Sequence, residues 1–316
     1  MKKVAITIPC YYSKKNIVNV VNEIRDVFKD KEEYDLLVFC INDGSTDETF
    51  DYITELSQQY DFVSGFDLSK NYGQATGRLV PLSYIDDIDY LIYMDDDGQH
   101  DPQDIFRLIE KVDEGYDVVY ANFPDKTHSF MKKLASNINT AIMHYSVGKP
   151  KDVHLSSFYA INGMMVEAIK SYKSPFPTML GYIMQVTNKI TNIDAVHRSR
   201  IEGHSGYNLK KMIRLWMDGF VNFSIVPLRI SSFVGVAVAV IGFVSALFMI
   251  CKKLFIGGVA NGFTMMFSAF MIIGGFILVS LGLIGEYLGR IYLTISDMPQ
   301  FNVRRKVIAK KLEGKL

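Results

Sequence analysis

Apolar and polar positions alternate between two rhythms along the first part of the chain. Val4-Ala5-Ile6-Thr7-Ile8 is an almost unbroken apolar run stopped by Pro9, the pattern of a buried strand. Asn16 to Phe28 then sets Ile17, Val20, Val21, Ile24, Val27 and Phe28 at helical spacing. Leu36 to Ile41, Val63 to Leu68, Tyr90 to Met94 and Asp117 to Ala121 are further strand-like runs. Between them, Ser45-Thr46-Asp47-Glu48 has the form of a capping box and predicts a helix reaching about Gln59. Another helix is expected from about Gly73, and Asp101-Pro102 predicts one with proline at its first position. Apolar strands alternating with helices predict an α/β domain built on a doubly wound, mostly parallel sheet.

The rhythm changes after residue 208. Leu209, Met212, Ile213, Trp216, Phe220 and Phe223 form one stripe of a helix, and Lys210, Lys211, Arg214, Asp218 and Asn222 form the other. Such a basic amphipathic helix suits the plane of a membrane interface, although an ordinary surface helix has the same pattern. Then come 22 residues without charge between Arg229 and Lys252, and 32 between Lys253 and Glu286. A bilayer core takes roughly 20 apolar residues in a helix. The expected organisation is a catalytic domain over 1–208, an interfacial helix over 209–227, a transmembrane hairpin over 228–290 with spans near 230–251 and 264–285, and a basic tail over 291–316.

Charge sharpens this picture. The 316 residues carry no net charge. From Arg200 onward, however, 14 Lys and Arg face 5 Asp and Glu, whereas the remainder has 20 against 29. The basic residues flank the outer ends of the two spans, so the positive-inside rule puts the α/β domain in the cytoplasm. Their distribution follows the spans instead of a face of the domain, which argues against nucleic acid as a partner. Cys10, Cys40 and Cys251 show no metal or disulfide spacing and suit a reducing compartment. The opening apolar run is too short for a signal peptide, and none is expected.

Two clusters carry candidate chemistry. Met94-Asp95-Asp96-Asp97-Gly98-Gln99-His100-Asp101-Pro102 puts three consecutive acids at the C-terminal end of a strand. Ligands of open α/β sheets bind there. Asp95 and Asp97, two apart, can share one hard cation that leaves positions for phosphate oxygens. A solvated acid-rich turn is the plain alternative. Ile41-Asn42-Asp43-Gly44-Ser45-Thr46 closes another strand, where an acid can accept from a nucleobase or ribose; Asp-Gly-Ser is also ordinary turn chemistry.

Ile8-Pro9-Cys10-Tyr11-Tyr12, Asn42-Asp43-Gly44-Ser45-Thr46-Asp47, Asn71-Tyr72-Gly73 and Asp95-Asp96-Asp97-Gly98-Gln99 occur in the order seen in family 2 glycosyltransferases. Arg200-Ile201-Glu202-Gly203-His204-Ser205-Gly206-Tyr207, Gly285-Glu286-Tyr287-Leu288-Gly289-Arg290 and the two spans resemble its polyprenyl-phosphate branch, which includes GtrB-type enzymes and dolichol-phosphate mannose synthase. The resemblance implies a GT-A (Rossmann-like) fold in a bacterial plasma membrane. It implies inverting transfer of a sugar from a nucleotide donor, a UDP-sugar by similarity to bacterial members, to a polyprenyl phosphate. It implies Mg²⁺ or Mn²⁺ held by Asp95, Asp97 and Gln99, a nucleoside pocket lined by Pro9, Tyr11 and Asp43, and a donor site completed by Asp95, Asp96 and Arg200. Lys132 and Ser136 resemble the basic-x-x-x-Ser pair that receives the acceptor phosphate, and a homo-oligomer is implied.

Two departures from the family pattern stand out: the family's common arginine after the fifth strand is missing near Asn122-Phe123-Pro124, where Lys126 can substitute, and the acceptor loop differs. The family often carries an acid just before a Phe-Arg pair; here Ser157 takes the acid's place and Tyr159 the arginine's. Asp152 is the remaining carboxylate that can serve there. Two other functions compete: a non-processive family 2 transferase acting on a lipid-linked glycan, and a membrane scaffold that keeps the nucleotide-sugar fold. The Gln-x-x-Arg-Trp motif of processive synthases is missing from the sequence.

Overall fold

The computed structural model describes residues 1–124, 149–150, 152–172, 179–196, 198, 226–255, 262–296 and 299–312. The chain forms two compact units, Met1–Leu215 with Pro299–Leu316, and Trp216–Met298.

An eight-stranded sheet organises the first unit. Its strands are β1 (Lys2–Cys10), β2 (Tyr34–Asn42), β3 (Val63–Leu68), β4 (Tyr90–Tyr93), β5 (Val118–Asn122), β6 (Tyr159–Asn162), β7 (Ile190–Asp194) and β8 (Val303–Val307). Their order across the sheet is β7-β5-β6-β4-β1-β2-β3-β8. β1 pairs in parallel with β2 and β4, β2 with β3, and β5 with β7. β6 runs antiparallel to both β4 and β5, and β8 antiparallel to β3, so the sheet is mixed.

Side chains along β1 alternate between two cores, as the period of a strand requires. Val4, Ile6 and Ile8 join the cluster covered by α1 (Lys15–Phe28), α2 (Thr49–Gln59) and α4 (Asp104–Asp113). The other face buries Ala5, Phe39, Ile41, Phe66, Leu91 and Tyr93 under α5 (Gly163–Lys170) and α6 (Met179–Val186). Ile17, Val20, Val21, Ile24 and Phe28 are the buried stripe of α1, as their spacing predicts.

Three local expectations need correction. The capping box does not form: α2 begins at Thr49, and it is Asp47 that accepts the Thr49 N–H, at 3.2 Å. Ser45 Oγ accepts the Tyr12 N–H at 3.0 Å, and Thr46 bonds the Tyr12 hydroxyl. Helix α4 starts at Asp104, after a turn in which Asp101 accepts the Gln103 N–H at 2.9 Å. The stretch read as a basic tail supplies β8, and beyond it Ala309 and Leu312 are buried in the core. Helix α3 (Gln74–Gly77) is a single turn.

The second unit is a pair of helices, α7 (Val226–Phe255) and α8 (Phe263–Ile295). Ser231 and Ser280 join them through a hydroxyl–hydroxyl bond of 2.7 Å. Within α8, Ile272–Ile295 is long and apolar enough to cross a membrane, and none of it is buried. The apolar stretch described in α7, Ser231–Val244, is shorter. Large apolar side chains face outward on both helices, among them Phe233, Phe243, Phe270 and Leu278. The expected interfacial helix over 209–227 lies almost wholly outside the described residues.

Candidate active site

Because β1 sits between β2 and β4, the carboxyl ends of these three parallel strands lie side by side. A crevice opens at such a point of an open α/β sheet, where the winding direction reverses. Each strand delivers one predicted cluster to it: Pro9 and Tyr11 from β1, Asp43 from β2, and Asp95 to Asp97 from β4.

The β1 loop turns sharply. Tyr12 and Lys14 have φ values of 55° and 45°, in the left-handed region that non-glycine residues rarely adopt. The turn is held by Tyr12 N–H on Ser45 Oγ and by Lys14 N–H on Thr49 Oγ1, at 3.0 and 3.1 Å. It leaves Tyr11 and Tyr12 about half exposed, with rings edge to face at 4.6 Å. An aromatic ring presented at the crevice suits stacking on a planar ligand.

Asp43 is buried, and both its oxygens are engaged. It accepts the Tyr72 N–H at 2.7 Å and the Gly73 N–H at 2.8 Å. Burial raises its pKa, and the two backbone bonds pull the other way. Gly44 follows at φ +71°, and a Cβ there would lie 2.4 Å from the Lys70 carbonyl carbon. The Asp43-Gly44 turn is therefore locked against the Lys70–Gly73 loop, and only glycine fits the contact.

The three acids after β4 do three different things. Asp95 accepts from Gln74 Nε2 and Ser157 Oγ, and Arg78 reaches its Oδ1 at 3.5 Å. The Asp95 backbone N–H donates to His100 Nδ1 at 3.2 Å, and the His100 ring is stacked on Phe158 and Phe123. Asp96, expected in the donor site, instead turns beneath the β1 loop. There it accepts from Ser13 Oγ and from the Tyr11 N–H, and burial pushes its carboxyl up to about 6. Asp97 closes its own turn by accepting the Gln99 N–H at 3.1 Å, with Gly98 at φ 72°.

Gln99 ties this loop to the distant chain. Its carbonyl accepts the Arg198 N–H at 3.1 Å, and its side-chain amide donates to the Arg198 carbonyl at 3.3 Å. The Arg198 guanidinium pairs with Asp101 and Glu23 at 2.7 and 2.8 Å. Arg200, Lys126, Lys132 and Ser136 lie outside the described residues. Asp152 is exposed, and its charge opposes the burial that lowers the pKa of neighbouring Lys149.

No group of three or more His, Cys, Asp or Glu side chains assembles a cation site among the described residues. Asp95 and Asp97 still fit a hard divalent ion held jointly with phosphate oxygens, because Mg²⁺ commonly takes only one or two protein carboxylates. A carboxylate offers about four lone-pair positions. Three on Asp95 are taken.

Sequence reasoning missed Gln74, Arg78 and His100. Gln74 follows directly on Asn71-Tyr72-Gly73, which was a usable signal. Arg78 had none, because its role arises from packing over Tyr93 and Tyr159 on distant strands.

The glycosyl transferase family 2 model matches residues 5–172, and the GtrB C-terminal hairpin model matches residues 226–291. An uncharacterised glycosyltransferase of Bacillus subtilis, YkcC, is 29% identical over 95% of this chain and 93% of its own length. An undecaprenyl-phosphate 4-deoxy-4-formamido-L-arabinose transferase of Serratia proteamaculans is 30% identical over 97% of this chain and 94% of its own. Among solved structures, S. aureus TarS 1-349 in complex with UDP-GlcNAc superposes with a TM-score of 0.47 at 18% identity, over 70% of this chain and 66% of that one. With more than half its length matched by the first model and the hairpin by the second, the chain belongs to glycosyl transferase family 2 and carries a GtrB-type C-terminal hairpin.

Proposed function

We propose that this protein transfers a sugar from a nucleotide-sugar donor to a polyprenyl phosphate at a bacterial plasma membrane, with inversion at the transferred carbon. The observation that carries this reading is a single chain with an acid loop at the sheet's crevice and a hairpin of outward-facing apolar helices. The Serratia relative, named for an undecaprenyl-phosphate acceptor and similar along nearly the whole chain, supports it. A lipid acceptor gives the hairpin a purpose, since it keeps the site where the acceptor is dissolved. Both helices would span the bilayer, with the α/β domain cytoplasmic and the chain acting as a homo-oligomer. A UDP-sugar is our choice of donor.

In this reading Pro9 and Tyr11 bound the nucleoside, and Asp43 fixes the loop that forms its other wall. Asp95, Asp97 and Gln99 would hold Mg²⁺ or Mn²⁺, which when bound supplies positive charge to the leaving diphosphate. Arg200 would meet a donor phosphate; Arg198, two residues earlier, already bridges Gln99. Lys132 and Ser136 would receive the acceptor phosphate. That phosphate is an anion near neutral pH, so attack needs little help from a base. Asp152 is then an orienting group at most.

The test is direct. Purified protein is offered a panel of nucleotide sugars with undecaprenyl phosphate, and the lipid fraction is analysed by mass spectrometry. A polyprenyl-phosphate sugar of inverted configuration is the expected product. A sugar appearing on a lipid-linked glycan, with none on the lipid phosphate, would favour the non-processive alternative. Absence of donor turnover with any acceptor would favour a scaffold.

A further inference from the structure

Four buried polar atoms without a partner lie on one face of the sheet, close under the acid loop: Thr7 Oγ1, Tyr93 Oη, Tyr159 Oη and Arg78 Nε. The register explains their grouping. Thr7 stands opposite Tyr93, and Tyr93 opposite Tyr159, so the three form one row across β1, β4 and β6. Arg78 lies over this row, its guanidinium carbon 5.9 Å from the Tyr93 ring centre and 5.8 Å from that of Tyr159. Its side chain is 13% exposed. Arginine does not lose its proton in proteins, so a full positive charge sits in this half-closed chamber. Buried charge needs a counter-charge, and the carboxylate Arg78 reaches is Asp95, at 3.5 Å.

Asp95 is thus already neutralised, and hydrogen-bonded by Gln74 and Ser157 as well. A divalent cation arriving at that carboxylate would come within a few ångströms of a permanent like charge that it cannot displace into solvent. The repulsion is offset only when further negative charge enters with the ion. The diphosphate of the donor is such a charge, and the same guanidinium would then face it.

We propose that Arg78 is a positioning residue that makes metal binding conditional on the nucleotide diphosphate: it holds Asp95 as its counter-ion until donor and metal arrive together. This rests on the metal reading above and adds to it an order of events. An enzyme with this arrangement binds free Mg²⁺ or Mn²⁺ weakly and does not hold a metal without substrate. The unpartnered Nε and tyrosine hydroxyls leave the chamber with spare donors and acceptors for the rearrangement.

The experiment is Mn²⁺ binding followed by electron paramagnetic resonance on the full-length protein, alone and with UDP, GDP, CDP or dTDP. Wild type is expected to bind Mn²⁺ at least about 100-fold more tightly with its preferred nucleotide than without. Arg78→Gln removes the charge and keeps a polar planar end. It should strengthen nucleotide-free Mn²⁺ binding about tenfold and shrink the nucleotide effect by the same factor. Arg78→Lys keeps the charge and should retain most of the wild-type coupling; thermal unfolding of both variants checks that the fold is intact. If Arg78→Gln leaves nucleotide-free binding unchanged or weaker while wild type shows nucleotide-dependent binding, the role of Arg78 is wrong and the metal site stands. If wild type takes up no Mn²⁺ with any of the four nucleotides, both fail.

Discussion

Arg305 Nε donates to the Asp67 carboxylate at 2.9 Å, and Asp67 is 2% exposed. The contact joins residues 238 positions apart, one on each side of the hairpin. Asp67 also accepts from Asn42 Nδ2 at 2.8 Å, and Asn42 immediately precedes Asp43. The strand that returns after the hairpin is thereby connected to the loop that forms the candidate nucleotide pocket.

Arg305→Leu should destabilise the α/β unit. It leaves a buried carboxylate with Asn42 as its remaining side-chain partner. Losing a charged hydrogen bond of this kind costs about 1–3 kcal/mol, and the half-exposed arginine puts the value at the lower end. Denaturant unfolding of the α/β unit measures it. Asp67→Asn in the same chain should recover much of the loss, because an amide tolerates burial where an unpaired carboxylate does not. A variant as stable as wild type would show that solvent satisfies Asp67 equally well.

Removing residues 299–316 should be worse than any point change there. It strips β8 from the edge of β3 and empties the sites of Ala309 and Leu312. Burying one leucine is worth about 1.5–3 kcal/mol, and an unpaired β3 edge invites association with other chains. The truncated protein should aggregate, or melt well below the full chain. A catalytic domain ending near residue 208 is consequently not a safe unit to produce alone. Recovery of a monomeric, cooperatively melting 1–298 protein would show β8 to be dispensable.

The sequence made β1 to β5 legible because each is an apolar run bounded by turn residues, and pattern alone distinguishes such runs. β8 was not legible. Val303-Arg304-Arg305-Lys306-Val307 is mostly charged, and it is a strand because β3 offers a free edge and Asp67 an anion. Tyr159–Asn162 is no shorter than β4, but it runs straight into the helix at Gly163 with no turn between them, and its antiparallel place between β4 and β5 depends on pairing across long stretches of chain. The acid loop was visible as a cluster, but its division of labour was not. Asp96 points under the β1 loop because Ser13 and the Tyr11 N–H are there to receive it, and nothing in a run of three aspartates foretells that.

Gly44→Ala should weaken donor binding with little change at Asp95 and Asp97, the carboxylates proposed to hold the cation. The new Cβ would press on the Lys70–Asn71 backbone, and the left-handed φ adds strain of about 1–3 kcal/mol. Relief requires the Lys70–Gly73 loop to move, and Asp43 holds that loop through two backbone hydrogen bonds. The expected signature is a raised KM for the donor with kcat nearly kept. A fall in kcat at unchanged KM would separate this turn from the nucleotide pocket.

Asp97→Asn should abolish transfer and leave the melting temperature close to wild type. The side chain is only partly buried, and the isosteric amide keeps an oxygen that can accept the Gln99 N–H, so the turn survives the change. The chemistry loses one of two carboxylates proposed to hold the cation, and a main electrostatic stabiliser is worth at least about 10²-fold in turnover. Mn²⁺ affinity in the presence of nucleotide should drop in parallel. Near-normal turnover in Mg²⁺ or Mn²⁺ would remove Asp97 from the metal set.

Asp152 separates two ways of making the acceptor reactive. As a general base it would have to be ionised to work, and Asp152→Asn would then lower the rate and erase an acidic limb of the pH–rate profile. If the acceptor phosphate attacks as a ready anion, the limb belongs to the phosphate's second ionisation, near a pKa of about 6, and survives the substitution. The exposure of Asp152 favours the second outcome: a side chain open to water is not held in the fixed geometry that proton transfer requires. Ser157, which stands where the family resemblance leads one to expect an acid, is meanwhile committed to Asp95. Asp152→Asn is therefore expected to keep the limb near pH 6 and to lose less than about tenfold in turnover, the range left to a group that orients without moving a proton. A profile flattened on the acid side, with donor affinity unchanged, would restore Asp152 as the base.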